Sequence, residues 1–299
     1  MKVRIGYGLG NLRALDGARL APLADALEHH GFDSLWLSER ATGPAPDPLV
    51  ALAFVAGRTQ RLKLGTSVQV LPGRSPALLA KEWASLDQLS GGRALPAVGL
   101  GIADPGEQQA FGVERSERAA WFEEALPLVR RFWTEEHVTH SGARFHYEDL
   151  TIRPRPTKPL DVWLGGRAPA ELRRVGRLGD GWLASFATPT DCAAGRAAIE
   201  DAAAAAGRTM DPEHYGAMVF YGHQPPPDRL RRVIEARVPG TDAHEIIATG
   251  WDDLRARCAA YLEVGFSKLV LVSFDEPTDW DAELARAAES VLPLERTAP

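Results

Sequence analysis

Residues 62–101 read LKLGTSVQVLPGRSPALLAKEWASLDQLSGGRALPAVGLG, and this stretch decides the fold. An apolar run at 62–70 ends in the polar, β-branched Gly65-Thr66-Ser67-Val68-Gln69, and a Pro-Gly turn follows. Ser75-Pro76 then opens a helix that runs to Leu89, with proline at the first helical position, where its missing N–H costs nothing. Gly91-Gly92 stops that helix, and a second apolar run at 94–100 ends in Gly-Leu-Gly. Strand, helix and strand within forty residues make a βαβ unit, the building block of parallel α/β folds. A strand buried on both faces normally stays apolar to its end. Polar groups at the carboxyl end of a parallel strand stand where such folds place ligands.

The same rhythm extends in both directions. Strands are expected at 3–9, 34–37, 62–70, 94–100, 161–164, 181–185, 215–221 and 268–274. Helical patterns separate them, the first capped by Asp16 and ended by Gly31, the second opened by Asp47-Pro48. Later helices are expected at 169–178, 190–206, 251–264 and 280–291. Residues 102–160 break the rhythm with a helix near 115–134, the hairpin-like HVTHSGARFHY and the Pro-rich RPRPTKP. They read as an excursion, a lid over the barrel's mouth, since long irregular segments in compact domains are functional or disordered. Residues 225–249 show no assignable pattern. Eight alternating strands and helices predict a single-domain (β/α)8 TIM barrel over 1–299 with an insertion after strand four. The rival is a doubly wound open sheet. Gly6-Tyr7-Gly8-Leu9-Gly10-Asn11 lacks the third glycine and the later acidic residue of the dinucleotide fingerprint that such a sheet would carry.

Composition narrows the function. The chain has 299 residues and a net charge of −6, with no basic footprint for nucleic acid. No apolar run reaches the roughly 20 residues a membrane-spanning helix needs, and MKVRIGYGLG goes straight into a strand without a leader pattern. Cys192 and Cys258 lie far apart without metal or redox spacing, as expected of unpaired thiols in a cytoplasmic protein.

In a barrel, function collects at the carboxyl ends of the strands. Those ends offer Gly8, Gly10 and Asn11; Ser38, Glu39 and Arg40; Ser67, Val68 and Gln69; Gly99 and Gly101; Gly165, Gly166 and Arg167; Ser185 and Phe186; Tyr221 and His223; Ser273 and Asp275. Glycines there let backbone approach a flat ligand. Gly165-Gly166-Arg167 runs into a helix start, where free N–H groups, the dipole and a guanidinium suit a phosphate; a tight turn with a solvated arginine is the plainer alternative. Glu39 is a candidate proton donor or a rim ion pair with Arg40, and His223, the histidine that falls at a strand end, is a candidate catalytic group. His137 and His140 face opposite sides of a strand, which removes them as a metal pair.

Taken together, GFDSLWLSER (31–40), residues 62–93, AVGLG (97–101), DVWLGGRAPAELRRVGRLGDGW (161–182) and VGFSKLVLV (264–272) resemble the luciferase-like oxidoreductases, a superfamily of (β/α)8 flavin and deazaflavin enzymes. The pairing of GTSV, LPGRSP and LSGGR with LGG and GDGW is most similar to the branch that uses coenzyme F420. The resemblance implies a cis peptide at Ser67–Val68 behind the cofactor's middle ring, Gly99 to Gly101 beside the ring or its ribityl chain, and Gly165 to Arg167 at its phosphate. It implies cofactor-binding roles for Ser38, Gln69 and Ser185 as well. Several deazaflavin dehydrogenases of the superfamily carry an acidic residue then His after strand two and a Glu after strand four. Here those positions are Glu39, Arg40 and Ile102, so a His–Glu mechanism is not expected. Glu39 remains as a proton relay, and Arg40 as the group for an anionic substrate or the cofactor's acidic tail.

The expected activity is hydride transfer between F420 and a small organic substrate, in a cytoplasmic homodimer paired through barrel helices such as the one carrying Trp83. The alternatives are an FMN-dependent monooxygenase of the same superfamily and a barrel that only binds a flavin-like ligand. An unrelated phosphate-binding aldolase is disfavoured, because no lysine falls at a strand end to form a Schiff base.

Overall fold

The computed structural model describes residues 1–10 and 14–295; Asn11, one of the strand-end candidates, lies outside the described residues. In chain order the elements begin β1 (Arg4–Leu9), α1 (Gly17–His29), β2 (Ser34–Leu37), α2 (Pro48–Ala56), β3 (Lys63–Thr66), β4 (Gln69–Val70) and α3 (Pro76–Ser90). They continue with β5 (Ala94–Leu95), β6 (Ala97–Gly99), α4 (Pro105–Phe111), α5 (Arg118–Thr134), β7 (Val138–Ser141), β8 (His146–Leu150), β9 (Trp163–Leu164) and α6 (Pro169–Leu178). The last are β10 (Gly181–Ala184), α7 (Pro189–Ala205), β11 (Tyr215–Gly222), α8 (Asp228–Arg237), α9 (Ala243–Ile246), β12 (Ile247–Thr249), α10 (Gly250–Glu263), β13 (Lys268–Ser273) and α11 (Trp280–Val291).

Two of the expected strands are each split. The third is β3 plus β4 and the fourth is β5 plus β6, broken at Pro96, which cannot donate to a ladder. Pairing is parallel throughout the main sheet: β1 with β2, β2 with β3, β3 with β5, β4 with β6, β6 with β9, β9 with β10, β10 with β11, β11 with β13, and β13 with β1. Because β3 and β4 belong to one stretch of chain, as do β5 and β6, these pairings close a ring of eight strands. β12 adds one strand beside β11.

The helix ends obey the chain's local chemistry. Asp16, Asp47, Ser75 and Asp279 each accept from a backbone N–H in the first turn of α1, α2, α3 and α11, supplying part of what an exposed helix start lacks. Gly91 takes the left-handed conformation that ends α3.

Two layers of apolar side chains follow from the strand pleat. Leu35, Leu64, Tyr7, Tyr221 and Leu271 point outward into the layer under the helices. Trp36, Trp163, Met218, Phe220, Val270 and Val272 point into the barrel. Trp36 and Trp163, with ring centroids 6.5 Å apart, fill the lower barrel. They fit because glycines face them: a Cβ on Gly65 would come within 2.5 Å of the Trp36 ring, and one on Gly181 within 2.6 Å of Trp163. The indoles plug the barrel and separate its carboxyl-terminal end from its amino-terminal end.

The segment 102–160 is more regular than its sequence suggested. It begins with the short helix α4, which carries no readable period in seven residues. Helix α5 packs on α3 and α6 as the barrel's own helix between the fourth and fifth strands. The β7–β8 hairpin rides on the outside of α5, where Phe145 and Tyr147 meet Trp121 and Phe132, and Arg144 and Phe145 donate their N–H groups to Glu124. Of this segment, α4 approaches the mouth. The segment that packs into the mouth is instead 225–249, which showed no pattern in sequence. Leu230 and Ile234 of α8 and Ala243 and Ile246 of α9 join the barrel-interior cluster with Phe220 and Val272.

Candidate functional site

At the mouth, the break between β3 and β4 shapes everything else. The Ser67–Val68 peptide is cis. Side chains alternate along β3, with Leu64 outward and Gly65 inward against Trp36. Across the break the alternation changes phase. Val68 turns inward, where its methyl groups lie against Gly99 and Gly165: a Cβ on Gly99 would meet Val68 Cγ2 at 2.6 Å, and one on Gly165 would meet Cγ1 at 2.9 Å. Gln69 is therefore turned outward. This corrects its assignment as a cofactor contact: it is fully buried, and its Oε1 accepts from Trp83 Nε1 of α3 at 2.8 Å. Trp83 is equally buried, so it belongs to the barrel wall and does not reach an outer face for pairing.

The break is held from both sides. Ser38 Oγ donates to the Ser67 carbonyl at 2.9 Å and lies 3.1 Å from Ser67 Oγ. Glu39 donates its N–H to Val68 O at 3.2 Å, and its Oε2 accepts from Val70 N at 2.6 Å. Arg74 closes on Glu39 Oε1, donates to Val70 O at 3.0 Å and lies 3.7 Å from Asp47. Burial pushes the Glu39 carboxyl above its ordinary range even with Arg74 and the Val70 N–H beside it. Both Glu39 oxygens are thus engaged in fixing the backbone around Val68. Glu39 is a clamp in this geometry rather than a free acid facing the mouth.

The expected Glu39–Arg40 rim pair does not form. Arg40 turns to α4, with its guanidinium 3.4 Å from Asp104 and 3.8 Å from Glu107. Glu107 is almost wholly buried, which raises the pKa of a carboxyl. The Thr42 hydroxyl and the N–H groups of Thr42 and Ala41 outweigh this and hold it below its ordinary value. Those bonds tie α4 to the loop after β2. Gly101 sits at φ 78°, and beside it the buried Arg118 donates to Ile102 O at 2.8 Å and Leu100 O at 3.3 Å. Arg118, like Arg74, gave no signal in sequence, since both act by holding backbone carbonyls or a carboxylate near the mouth.

The turn after β9 differs from expectation in one respect. Gly166 adopts φ 114°, a conformation suited to glycine. The N–H groups of Arg167 and Ala168 are taken by the Glu171 carboxylate, at 2.8 and 2.9 Å. The donor pair does bind an oxyanion, and here the oxyanion is the chain's own. The Arg167 guanidinium reaches across to Arg237 O at 3.0 Å and Phe186 O at 3.4 Å, fastening the end of α8 to the end of β10. Ser185 lies at the same rim, half-buried.

His223 stands behind the wall instead of in the mouth. Its Nε2 lies 3.0 Å from Glu283 of α11, and Glu283 also accepts from Tyr221 OH at 2.8 Å. The strand pleat sends Tyr221 outward, and the loop carries His223 after it into the sheet–helix layer beside Trp251. Its assignment as a catalytic group is corrected on that ground. Cys192 and Cys258 are buried and unbridged, and burial pushes the Cys258 thiol up to about 12, which leaves it inert at neutral pH. Among the described residues no cluster of side chains suits a metal ion, and no helix is long and apolar enough to cross a membrane.

A cavity of about 250 Å³ opens at the opposite end of the barrel, lined by Lys2, Arg4, Lys63, Arg93, Lys158 and Lys268 among others, with Trp163 as its roof. It is separated from the glycines of the mouth by the Trp36–Trp163 plug.

Comparison with known proteins gives these features a context. The family model described as luciferase-like monooxygenase matches residues 8–296. An F420-dependent glucose-6-phosphate dehydrogenase of Kineococcus radiotolerans is 35% identical over 191 residues, covering 60% of this chain and 56% of that protein. The aligned part thus spans little more than half of that relative. The enzyme of the same description from Beutenbergia cavernae is 28% identical over 313 residues, covering 89% and 90%. Among solved structures, an F420-dependent secondary alcohol dehydrogenase in complex with an F420–acetone adduct superposes with a TM-score of 0.82 at 19% identity, over 99% of this chain and 100% of that one. A monooxygenase from Streptomyces bottropensis gives 0.80 at 21%, over 97% and 99%. At those identities the two structures speak for the (β/α)8 barrel fold.

Proposed function

The chain belongs to the luciferase-like monooxygenase family, and from that membership we propose that it is an oxidoreductase moving a hydride between coenzyme F420 and a small organic substrate. The observation that carries the reading is the clamped break at the end of β3. Val68 is pressed into the mouth between Gly99 and Gly165, and Ser38, Glu39 and Arg74 hold the backbone on either side of it. That arrangement makes a fixed apolar bump walled by glycines, which fits the face of a flat tricyclic ring. The curated relatives from K. radiotolerans and B. cavernae, both described as F420-dependent, favour the deazaflavin over FMN.

When bound, the deazaflavin supplies hydride exchange. The chain's own part is placement. Val68 would support the ring, Gly99 and Gly101 would leave room at its edge, and the turn at Gly165 to Arg167 would take its phosphate once Glu171 gives up the two N–H groups. Ser38 and Glu39 keep Val68 in place and do not themselves transfer protons in this reading. Position 40 is Arg and position 102 is Ile, so the substrate is handled without the His–Glu pair that the resemblance would supply in related dehydrogenases.

The reading includes a single domain acting in the cytoplasm, in which α4 and the α8–α9 segment close the mouth. It also includes a homodimer. Val50 and Phe54 of α2 and Leu78 and Leu89 of α3 are large apolar side chains left exposed on two neighbouring outer helices. Light scattering on the purified protein distinguishes a dimer from a monomer.

The direct test is a titration of purified protein with F420 and, separately, with FMN, followed by cofactor fluorescence. Saturable F420 binding in the micromolar range or tighter is the expected result. Tight FMN binding with substrate-dependent oxygen consumption, and no binding of F420, would overturn the proposal in favour of a monooxygenase.

A further inference from the structure

The cavity of about 250 Å³ at the amino-terminal end takes no part in the proposed hydride transfer, since the Trp36–Trp163 plug separates it from the mouth. Its cations crowd one carboxylate. Asp33 Oδ1 has Lys63 at 3.0 Å and Arg4 at 3.5 Å, and Oδ2 has Lys268, whose side chain is only 10% exposed. A second carboxylate, Glu295, spends one oxygen on the Ile5 N–H at 2.8 Å. Two more cations line the cavity without an ion-pair partner among the described residues. Arg93 donates to Ser90 O, Thr59 Oγ1, Leu62 O and Ala56 O, and Lys158 is exposed. The lining carboxylates are engaged elsewhere. Asp161 and Asp211 each lie 3.9 Å from His214 Nε2, and Glu213 accepts from the Lys2 N–H at 2.8 Å.

Three cations on Asp33 outnumber it. Burial, with Lys63 and Arg4 nearby, draws the Lys268 pKa below its ordinary value even with Asp33 in contact. Each ammonium has three N–H donors, and Lys63 and Lys268 each spend one on Asp33. Their remaining donors, with those of Lys158, are left to the cavity these residues line. The guanidinium groups are engaged, Arg93 on neutral acceptors and Arg4 on Asp33 and the Val3 carbonyl. What remains is a set of point charges, which suits the tetrahedral oxygens of a phosphate better than a planar carboxylate. At ~30 Å³ per water, the cavity has the room of about eight waters, enough for a phosphate ester of a few carbons.

We infer that this cavity binds a small phosphorylated anion through Lys63, Lys268 and Lys158, at a site separate from the one proposed for the cofactor. The Trp163 roof keeps that anion out of the mouth, so it competes with nothing bound there. The inference stands whether or not F420 is the cofactor.

The test is calorimetry on the full-length protein in a chloride buffer of constant ionic strength. Pyrophosphate and glycerol 3-phosphate are the probes, and glycerol is the uncharged control. At least one of the two anions should bind saturably at millimolar concentration or below, and glycerol should not. Lys63→Met and Lys158→Met should each weaken that anion about tenfold, while Lys63→Arg keeps part of the affinity. Melting curves show which variants are folded, and the exposed position of Lys158 keeps the test open if Lys63→Met is not. Saturating F420 should leave the anion's affinity within about twofold. No saturable binding of either anion overturns the inference, as does binding that either methionine substitution leaves unchanged in folded protein. Displacement of the anion by F420 also overturns it, because the anion then sits in the mouth. Anion binding that depends on the lysines in a protein that binds no F420 upholds this inference while defeating the cofactor assignment.

Discussion

The two ends of this barrel handle charge in opposite ways. At the amino-terminal end, Asp33 gathers Lys63 at 3.0 Å, Arg4 at 3.5 Å and the buried Lys268 around one carboxylate. Burial alone would raise the Asp33 pKa, and the lysines overcome it and hold it below its ordinary value. At the mouth, the Arg237 guanidinium lies over the Phe186 ring and pairs with no carboxylate among the described residues, and the N–H groups before α6 close on an anion that the chain supplies from Glu171. Charges satisfied within the fold serve stability, and charges left over at strand ends are free to serve a ligand. A large cavity is therefore no guide by itself to the cofactor: the one of about 250 Å³ lies at the end where Asp33 gathers its cations.

Predictions can break this contrast. The largest effect is expected at Gly99. A methyl there would meet Val68 Cγ2 at 2.6 Å, so Gly99→Ala should displace the bump and weaken F420 binding by about a hundredfold or more. A second substitution strikes the other end. Asp33→Asn leaves the buried Lys268 without its counter-charge and should cost about 3–5 kcal/mol of stability by denaturant unfolding, with cofactor affinity unchanged. Equal damage to binding from both variants would erase the distinction between the ends.

Acid should separate the ends by sign. The Asp33 pKa is lowered from an ordinary 3.8, so its stabilisation is present above that value and is lost as pH falls through the folded value. The Glu39 pKa is raised from 4.5, so the folded state holds its proton longer, and stability falls as pH rises from 4.5 through the folded value. The melting-temperature gap between parent and Asp33→Asn should widen with rising pH, and the gap between parent and Glu39→Gln should narrow. Parallel trends would show that one of the two carboxyls has been misread. The smallest effect is expected at Glu171. Glu171→Gln removes the competing charge at the two N–H groups and should tighten F420 binding about threefold, with stability lower by up to about 1 kcal/mol.

Much of this fold was legible because local chemistry marks it. The second strand at 34–37 and the last helix at 280–291 stand where the alternation of strands and helices puts them, the helix capped by Asp279. The strand-end rule also found Ser38, Ser67, Val68 and the glycines at 99, 101, 165 and 166 as residues of one rim. What stayed hidden depends on partners distant in sequence. Gln69 looked like its neighbours, but the phase change at the break turned it outward to Trp83. His223 looked like a rim residue, but Glu283, sixty positions on, draws it behind the wall. Helices α8 and α9 carry too few apolar positions to show a period, and only the barrel interior reveals why Leu230 and Ile234 are apolar. Glu39 was found as a carboxyl at the right place, and Arg74, unmarked in sequence, shows it to be a clamp.

The most direct measurement of the central claim is a paired F420 titration of Gly99→Ala and Asp33→Asn at a temperature where melting curves show both folded. The account predicts that Gly99→Ala loses saturable binding while Asp33→Asn, though less stable, binds like the parent. Normal binding by Gly99→Ala, or lost binding by a folded Asp33→Asn, would contradict it and move the cofactor away from the clamped end of the third strand.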